Sequence, residues 1–182
     1  MSEEKIIKWI EAGYSIFAEE GLTGLKIEVI SRRVKKSKSS FYHYFADMEI
    51  YLDSLLDYHI QQAIHISEEL KKDCFTTEDI LSLLIKHKND IFFHKQLRIN
   101  RASNLFERCF EKAYDNISSA FLGYWTKEVG LSNSKQISKE LLDLIEENFY
   151  LSITENNFSY NWLLNYMNNI KDLVNNIKSY KK

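Results

Sequence analysis

At 182 residues, with no proline and five glycines, the chain is long enough for a sizeable core and poor in residues that interrupt helices. Its formal net charge of −2 argues, taken alone, against a nucleic-acid partner, and two cysteines (Cys74 and Cys109) are too few for a disulfide framework. The polar start Met1–Lys5 has no apolar signal core behind it and no apolar run approaches the roughly 18 residues of a membrane span, so a cytoplasmic protein without a membrane partner is expected.

Ile6, Ile10, Gly13, Tyr14 and Phe17 recur at helical spacing and predict a first helix from about Glu3 to Glu20, with Ser2 as its cap. Gly21 stands where a left-handed helix end belongs, and Gly24 closes the turn. A short helix near Lys26–Val34 carries Ile27, Ile30 and Val34 on one face, and a second short one covers about Ser37–Tyr44. Asp47 caps a long helix whose stripe of Met48, Tyr51, Leu52, Leu55, Leu56, Ala63, Ile66 and Leu70 runs to about Lys72.

Beyond Asp73–Thr77, Ile80, Leu81, Leu84 and His87 predict a helix capped by Thr76 or Thr77. Asn89–Ser103 is less regular and reads as one or two short helices. Leu105, Phe106, Cys109, Phe110, Ala113, Ile117, Phe121 and Tyr124 mark a long helix that stops at Gly130. Two last helices, about Ser134–Glu155 and Ser159–Tyr180, complete an all-α chain with no alternating segment that would argue for a sheet.

The charge is unevenly placed. Residues 26–45 hold six basic side chains (Lys26, Arg32, Arg33, Lys35, Lys36, Lys38) against Glu28, a net of +5, while the rest of the chain carries 18 basic and 25 acidic residues, a net of −7. A basic island on an acidic body is the footprint of a local phosphate-binding surface. It falls on the second of two short helices joined by a tight turn, which is the helix-turn-helix pattern. Ile27, Ile30, Val34 and Phe41 would clamp the pair against Phe17, leaving Lys38, Ser39, Ser40, Tyr42 and His43 outside. The small serines let such a helix approach the groove floor, and Lys38 and Tyr42 can reach phosphates.

The run Ile30-Ser-Arg-Arg-Val-Lys-Lys-Ser-Lys-Ser-Ser-Phe-Tyr-His-Tyr-Phe45 resembles the recognition unit of the TetR/AcrR-type family of bacterial transcriptional regulators. Tyr14-Ser-Ile-Phe-Ala-Glu-Glu-Gly21 is similar to that family's first helix and its glycine stop, and the likeness spans roughly residues 5 to 56. It implies a three-helix DNA-binding domain over residues 1–46 and a helical effector-binding and dimerisation domain over 47–182. It also implies DNA contact by Lys38, Ser39, Ser40, Tyr42 and His43, with Ser37 capping the recognition helix; Lys26 and Lys36 join the candidates as members of the island. The chain departs from the pattern at four places. Lys35 replaces the turn's usual glycine and so needs φ > 0, Leu25-Lys26 replaces the usual Thr/Ser pair and leaves Thr23 as a possible cap, Met48 replaces a phosphate-gripping lysine, and Glu28 would repel a DNA backbone.

The resemblance implies a small-molecule pocket in the body, for which Phe92, Phe106, Phe110, Tyr114, Phe121 and Tyr124 are candidates, although aromatics at helical spacing also serve as plain core. Leu141, Leu144, Phe149, Trp162, Tyr166 and Ile170 form stripes suited to a homodimer, whose paired heads would match a palindromic double-stranded operator. His94, Lys95, Arg98, Arg101 and Arg108 make a second cationic cluster, read as a solvated face or a seat for an anionic ligand. No His-x-x-x-His or Cys-x-x-Cys spacing supports a metal, and no cofactor is implied; His59 or His87 meeting Cys109 is the residual metal arrangement, while Cys74 and Cys109 read better as a near-surface thiol and a core filler. With no Gly-rich phosphate loop or nucleophile–base arrangement, an enzyme is disfavoured, and the competing reading is a helical interaction module of the same fold that no longer binds an operator.

Overall fold

A computed structural model describes residues 3–73, 76–131 and 134–179, and every regular element among them is helical. In chain order these are α1 (Glu3–Glu20), a 3-10 turn (Gly21–Thr23), α2 (Ile27–Val34), α3 (Lys38–Tyr44), α4 (Met48–Asp73), α5 (Thr77–Lys86), α6 (Lys88–Ile99), α7 (Asn104–Glu128), α8 (Lys135–Ser152) and α9 (Tyr160–Ser179). Ser2, Cys74 and Tyr180, expected as a cap, a thiol and a helix end, lie outside the described residues.

Local chemistry sets most boundaries. Gly21 ends α1 with φ +66°, and Gly130 ends α7 with φ +60°. At Gly130 the N–H reaches Lys127 O and the Leu131 N–H reaches Thr126 O, the paired bonds of a Schellman motif. Asp47 Oδ1 accepts from the Ile50 N–H at 2.9 Å and so caps α4. Thr76, rather than Thr77, caps α5: its hydroxyl accepts from Asp79 N while Asp79 Oδ2 accepts from Thr76 N, a reciprocal capping box.

Three expectations are corrected. Thr23 does not cap α2, because the 3-10 turn directs its hydroxyl back to Glu20 O at 2.9 Å; α2 starts after an extended Lys26 with no side-chain cap. His87 precedes α6 instead of ending α5, and the stretch after Asn89, expected as one or two short helices, belongs to that one 12-residue helix. Ile91, Phe92, Phe93, His94 and Leu97 of α6 are all buried, so apolar residues occupy too much of its circumference to leave a clean 3.6-residue signal. The eighth helix stops at Ser152, three residues early, where Asn157 and Thr154 exchange side chain–backbone hydrogen bonds that offer the chain a turn in place of the helix.

The chain packs as two compact units, residues Met1–Ile66 with His87–Asn116, and Ser67–Lys86 with Ile117–Lys182. In the first, Phe41 of α3 meets Trp9 at 5.7 Å, Phe45 at 5.2 Å and Tyr51 at 5.1 Å between ring centroids, while Phe17 meets Phe93 at 4.6 Å and Phe106 at 6.0 Å. All of these rings are buried. Tyr51 donates to Trp9 O at 2.6 Å, and a Cβ at Gly13 would lie 1.9 Å from its phenol oxygen. In the second unit, Trp125, Val129, Leu142 and Val174 form a core, with Trp125 Nε1 donating to Ser138 O at 3.0 Å. Lys178 of α9 donates to Val129 O and Gly130 O, placing a cation at the carbonyl end of α7.

Candidate nucleic-acid interface

The α2–turn–α3 segment is held from inside by Ile30 and Phe41, both fully buried. Its turn closes through Lys35, with φ 59° and ψ 44°, whose N–H bonds Arg32 O while the Lys36 N–H bonds Ser31 O. This is the Schellman geometry found at Gly130, adopted here by a lysine at the conformational cost foreseen from its position. Ser37 caps α3: its Oγ accepts from Ser40 N at 3.2 Å and lies 3.0 Å from both Ser39 Oγ and Ser40 Oγ.

These constraints fix what faces outward. Lys26, Lys36, Ser37, Lys38, Ser39, Tyr42 and His43 are exposed, whereas Ser40 is half-buried. Tyr42 stands edge-on to Phe41 at 5.6 Å with 56% of its surface free. The structure thus brings the candidate DNA contacts onto one contiguous segment, with only Ser40 turned partly inward. Two of the six basic residues are held by carboxylates: Arg33 by Glu19 of α1 at 3.2 Å, and Lys38 by Glu28 of α2. The hydrogen bond from Lys38, then one from the backbone and the charge of Lys38, lower the Glu28 pKa from the ordinary carboxylate value.

Residues 10–50, which span this segment, match the family model of bacterial regulatory proteins, tetR family. The helix-turn-helix described above lies wholly within this match. No curated protein matches the chain. Among solved structures, the chain is similar to a candidate TetR-family transcriptional regulator from Mesorhizobium loti (TM-score 0.61, 14% identity, 97% of this chain and 98% of that one). It is also similar to one from Syntrophomonas wolfei (TM-score 0.52, 19% identity, 96% of each chain). At these identities the likeness is one of fold, and it extends from the helix-turn-helix through the helices that follow.

The other candidate residues are less gathered. Phe92, Phe106, Phe110 and Tyr114 belong to the first unit, and Phe121 and Tyr124 to the second. Phe92 and Phe106 are buried; Phe110 is half-buried and stacks on His94 at 4.4 Å, with Tyr114 a further 6.3 Å along. Phe121 packs onto the Trp125 core, and Tyr124 OH lies 2.9 Å from Thr77 Oγ1. Of the dimer candidates, Leu144 is 70% exposed, Leu141 and Ile170 pack onto their own unit's core, and Phe149, Trp162 and Tyr166 cluster with one another. Leu151, which the sequence reading passed over, is also 70% exposed and extends an Ile137–Leu144–Leu151 line whose seven-residue spacing is visible in the sequence.

His94 is not part of a cationic face. It is buried beside His59, with His59 Nε2 and His94 Nδ1 3.1 Å apart, and burial pushes its pKa down to about 3. His59 is lowered well below the usual histidine value, first by burial and then by His94. The pair continues through Tyr14, whose hydroxyl lies 2.6 Å from His59 Nδ1 and donates to Asp90 Oδ1 at 2.8 Å; Asp90 Oδ2 in turn lies 3.1 Å from His87 Nδ1. A phenol has one proton, so donation to Asp90 obliges His59 Nδ1–H to donate to Tyr14, which leaves His59 Nε2 to accept from His94. Cys109 is a core filler as expected, its thiol pushed up to about 12 by burial and directed to Leu56 O. Among the described residues no cluster suits a metal, and no helix is long and apolar enough to cross a membrane.

Proposed function

We propose that the protein is a cytoplasmic, homodimeric transcriptional regulator, and more specifically a repressor whose grip on a palindromic operator is controlled by a small-molecule effector. The observation that carries this reading is the outward face of α3: Lys38, Ser39, Tyr42 and His43 exposed in a helix-turn-helix that matches the tetR family model. Residues 1–46 serve as the DNA-binding domain and 47–182 as the effector-binding and dimerisation domain. The exposed apolar line Ile137, Leu144 and Leu151 on α8, with Leu173 and Ile177 on α9, supports pairing of two copies through these helices. Such a dimer would set two recognition helices in successive major grooves about 34–36 Å apart. An effector acts by favouring an arrangement of the body that misplaces them, with α4 as the lever, and it can do so only through unequal affinity for the two arrangements. Regulation rather than catalysis is the role this assigns to the whole chain.

The test is binding to duplex DNA flanking the protein's own gene across a salt series, beside a Lys38→Ala/Tyr42→Ala variant. Sequence-selective binding that strengthens as salt falls, and that weakens by roughly tenfold or more in the variant, is the expected result. Binding that is absent, or indifferent to sequence and variant, favours an interaction module that has kept the fold. The occupied Lys38 and the methionine at Met48 are the observations on that side.

A further inference from the structure

The ion pair between Lys38 and Glu28 joins the first residue of α3 to the first turn of α2, and both side chains stay more than half exposed, 56% and 61%. N-terminal residues of a recognition helix are the ones that meet base edges, so this pair sits where sequence is read. An ammonium group has three N–H donors, and Glu28 takes one of them. We propose that Glu28 is a specificity-determining residue: it cancels Lys38 as a phosphate ligand while leaving two of its donors for acceptors on a base edge, guanine N7 and O6 above all. Non-specific affinity comes from net charge and counterion release, to which a paired lysine adds nothing. Hydrogen bonds to a base edge are short-ranged and need only the donors. The pair therefore subtracts from indiscriminate binding and spares the selective contact, which raises the ratio between them. Arg33, held by Glu19, is a second cation withdrawn from the island in the same way. Glu28 is thus a working part of the reading head and not a defect in it.

This inference rests on the DNA-binding reading above, and its test separates the two. Wild-type protein is used to select a duplex from a random pool, and binding to that duplex and to its scrambled counterpart is followed as salt is varied. Glu28→Gln should tighten the scrambled duplex roughly two- to fivefold, the scale of an exposed ion pair. It should also steepen the dependence of log affinity on log salt by about 0.9, one freed cation. The selected duplex should change less, and in a Lys38→Met background the steepening should vanish. Lys38→Met alone, with Glu28 intact, should weaken the selected duplex by about tenfold and leave the scrambled one unchanged. This second arm stands even if Glu28→Gln unsettles α2. Equal weakening of both duplexes by Lys38→Met would overturn the proposal, because Lys38 would then be an ordinary phosphate contact. So would steepening that survives without Lys38, since Glu28 would then act as plain repulsion. A wild-type protein that enriches no duplex would instead sink the DNA-binding reading itself, along with this one.

Discussion

The Tyr51 phenol occupies the space that a side chain at position 13 would need. Gly13→Ala therefore sets a helix-favouring residue against a rigid buried ring that is itself tethered to Trp9 O. Alanine's propensity advantage is ~1 kcal/mol, whereas overpacking of this kind costs about 1–3 kcal/mol, so a net loss is expected in urea unfolding. Gly123 of α7 has no atom within 4 Å of its missing Cβ, and Gly123→Ala should stabilise by up to ~1 kcal/mol. Equal effects of the two substitutions would refute this account. Sequence alone placed both glycines in helices but could not tell them apart, because the neighbour that decides lies 38 residues away at Tyr51. Several positions with local partners are legible, among them the positive φ of Lys35, the left-handed Gly21 and the caps at Ser37 and Asp47, but Thr23 is not, although the carbonyl that takes its hydroxyl lies only three residues back at Glu20.

At the scale of elements, α1, α4 and α6 are joined by the buried polar chain His94–His59–Tyr14–Asp90, with His87 at its end. Burial holds His59 and His94 neutral, His94 down to a pKa of about 3. Above the unfolded histidine value of about 6.5 neither folded nor unfolded chain protonates these groups, and they leave stability independent of pH. Below it the unfolded chain gains protons that the folded one refuses, so stability falls as the medium is acidified. His94 alone, at ~1.4 kcal/mol per pH unit, predicts a loss on the order of 2 kcal/mol by pH 5, and the lowered His59 adds to it in the same direction. Urea midpoints measured at pH 8, 7 and 5 check this. A flat profile between pH 7 and 5 would sink it, and His94→Gln should make the slope shallower. This chain was hidden in the sequence because its links span 45, 76 and 35 residues, and a histidine at helical spacing looks alike whether it faces solvent or core. For α6 the loss of signal has a different origin: a helix buried on most of its surface shows no polar stripe.

Across the whole molecule, the helices, their order and the family resemblance at the head were readable from periodicity, end signals and one motif. The packing of the chain into units was not. The unit that contains the head draws on residues up to Asn116 and is interrupted by Ser67–Lys86, which belong to the other. The first helix of the head is accordingly supported from far along the chain, for Phe17 leans on Phe93 and Phe106 and Tyr14 on His59 and Asp90, while Phe41 of the recognition helix leans on Trp9 and on Tyr51, just beyond residue 46. A fragment of residues 1–46 would lose these partners other than Trp9, at ~1.5–3 kcal/mol for each large side chain left unburied. It should show little helix by circular dichroism and no cooperative melting; full native helicity in the fragment would refute this. The same arrangement has a consequence for synthesis. A nascent chain completes α3 long before it has made Phe93 or Phe106, and at ~5–20 residues per second the interval is several seconds. A polypeptide that terminates early thus carries the reading helix without the support that shapes it, so truncation yields an inert fragment and not an unregulated binder.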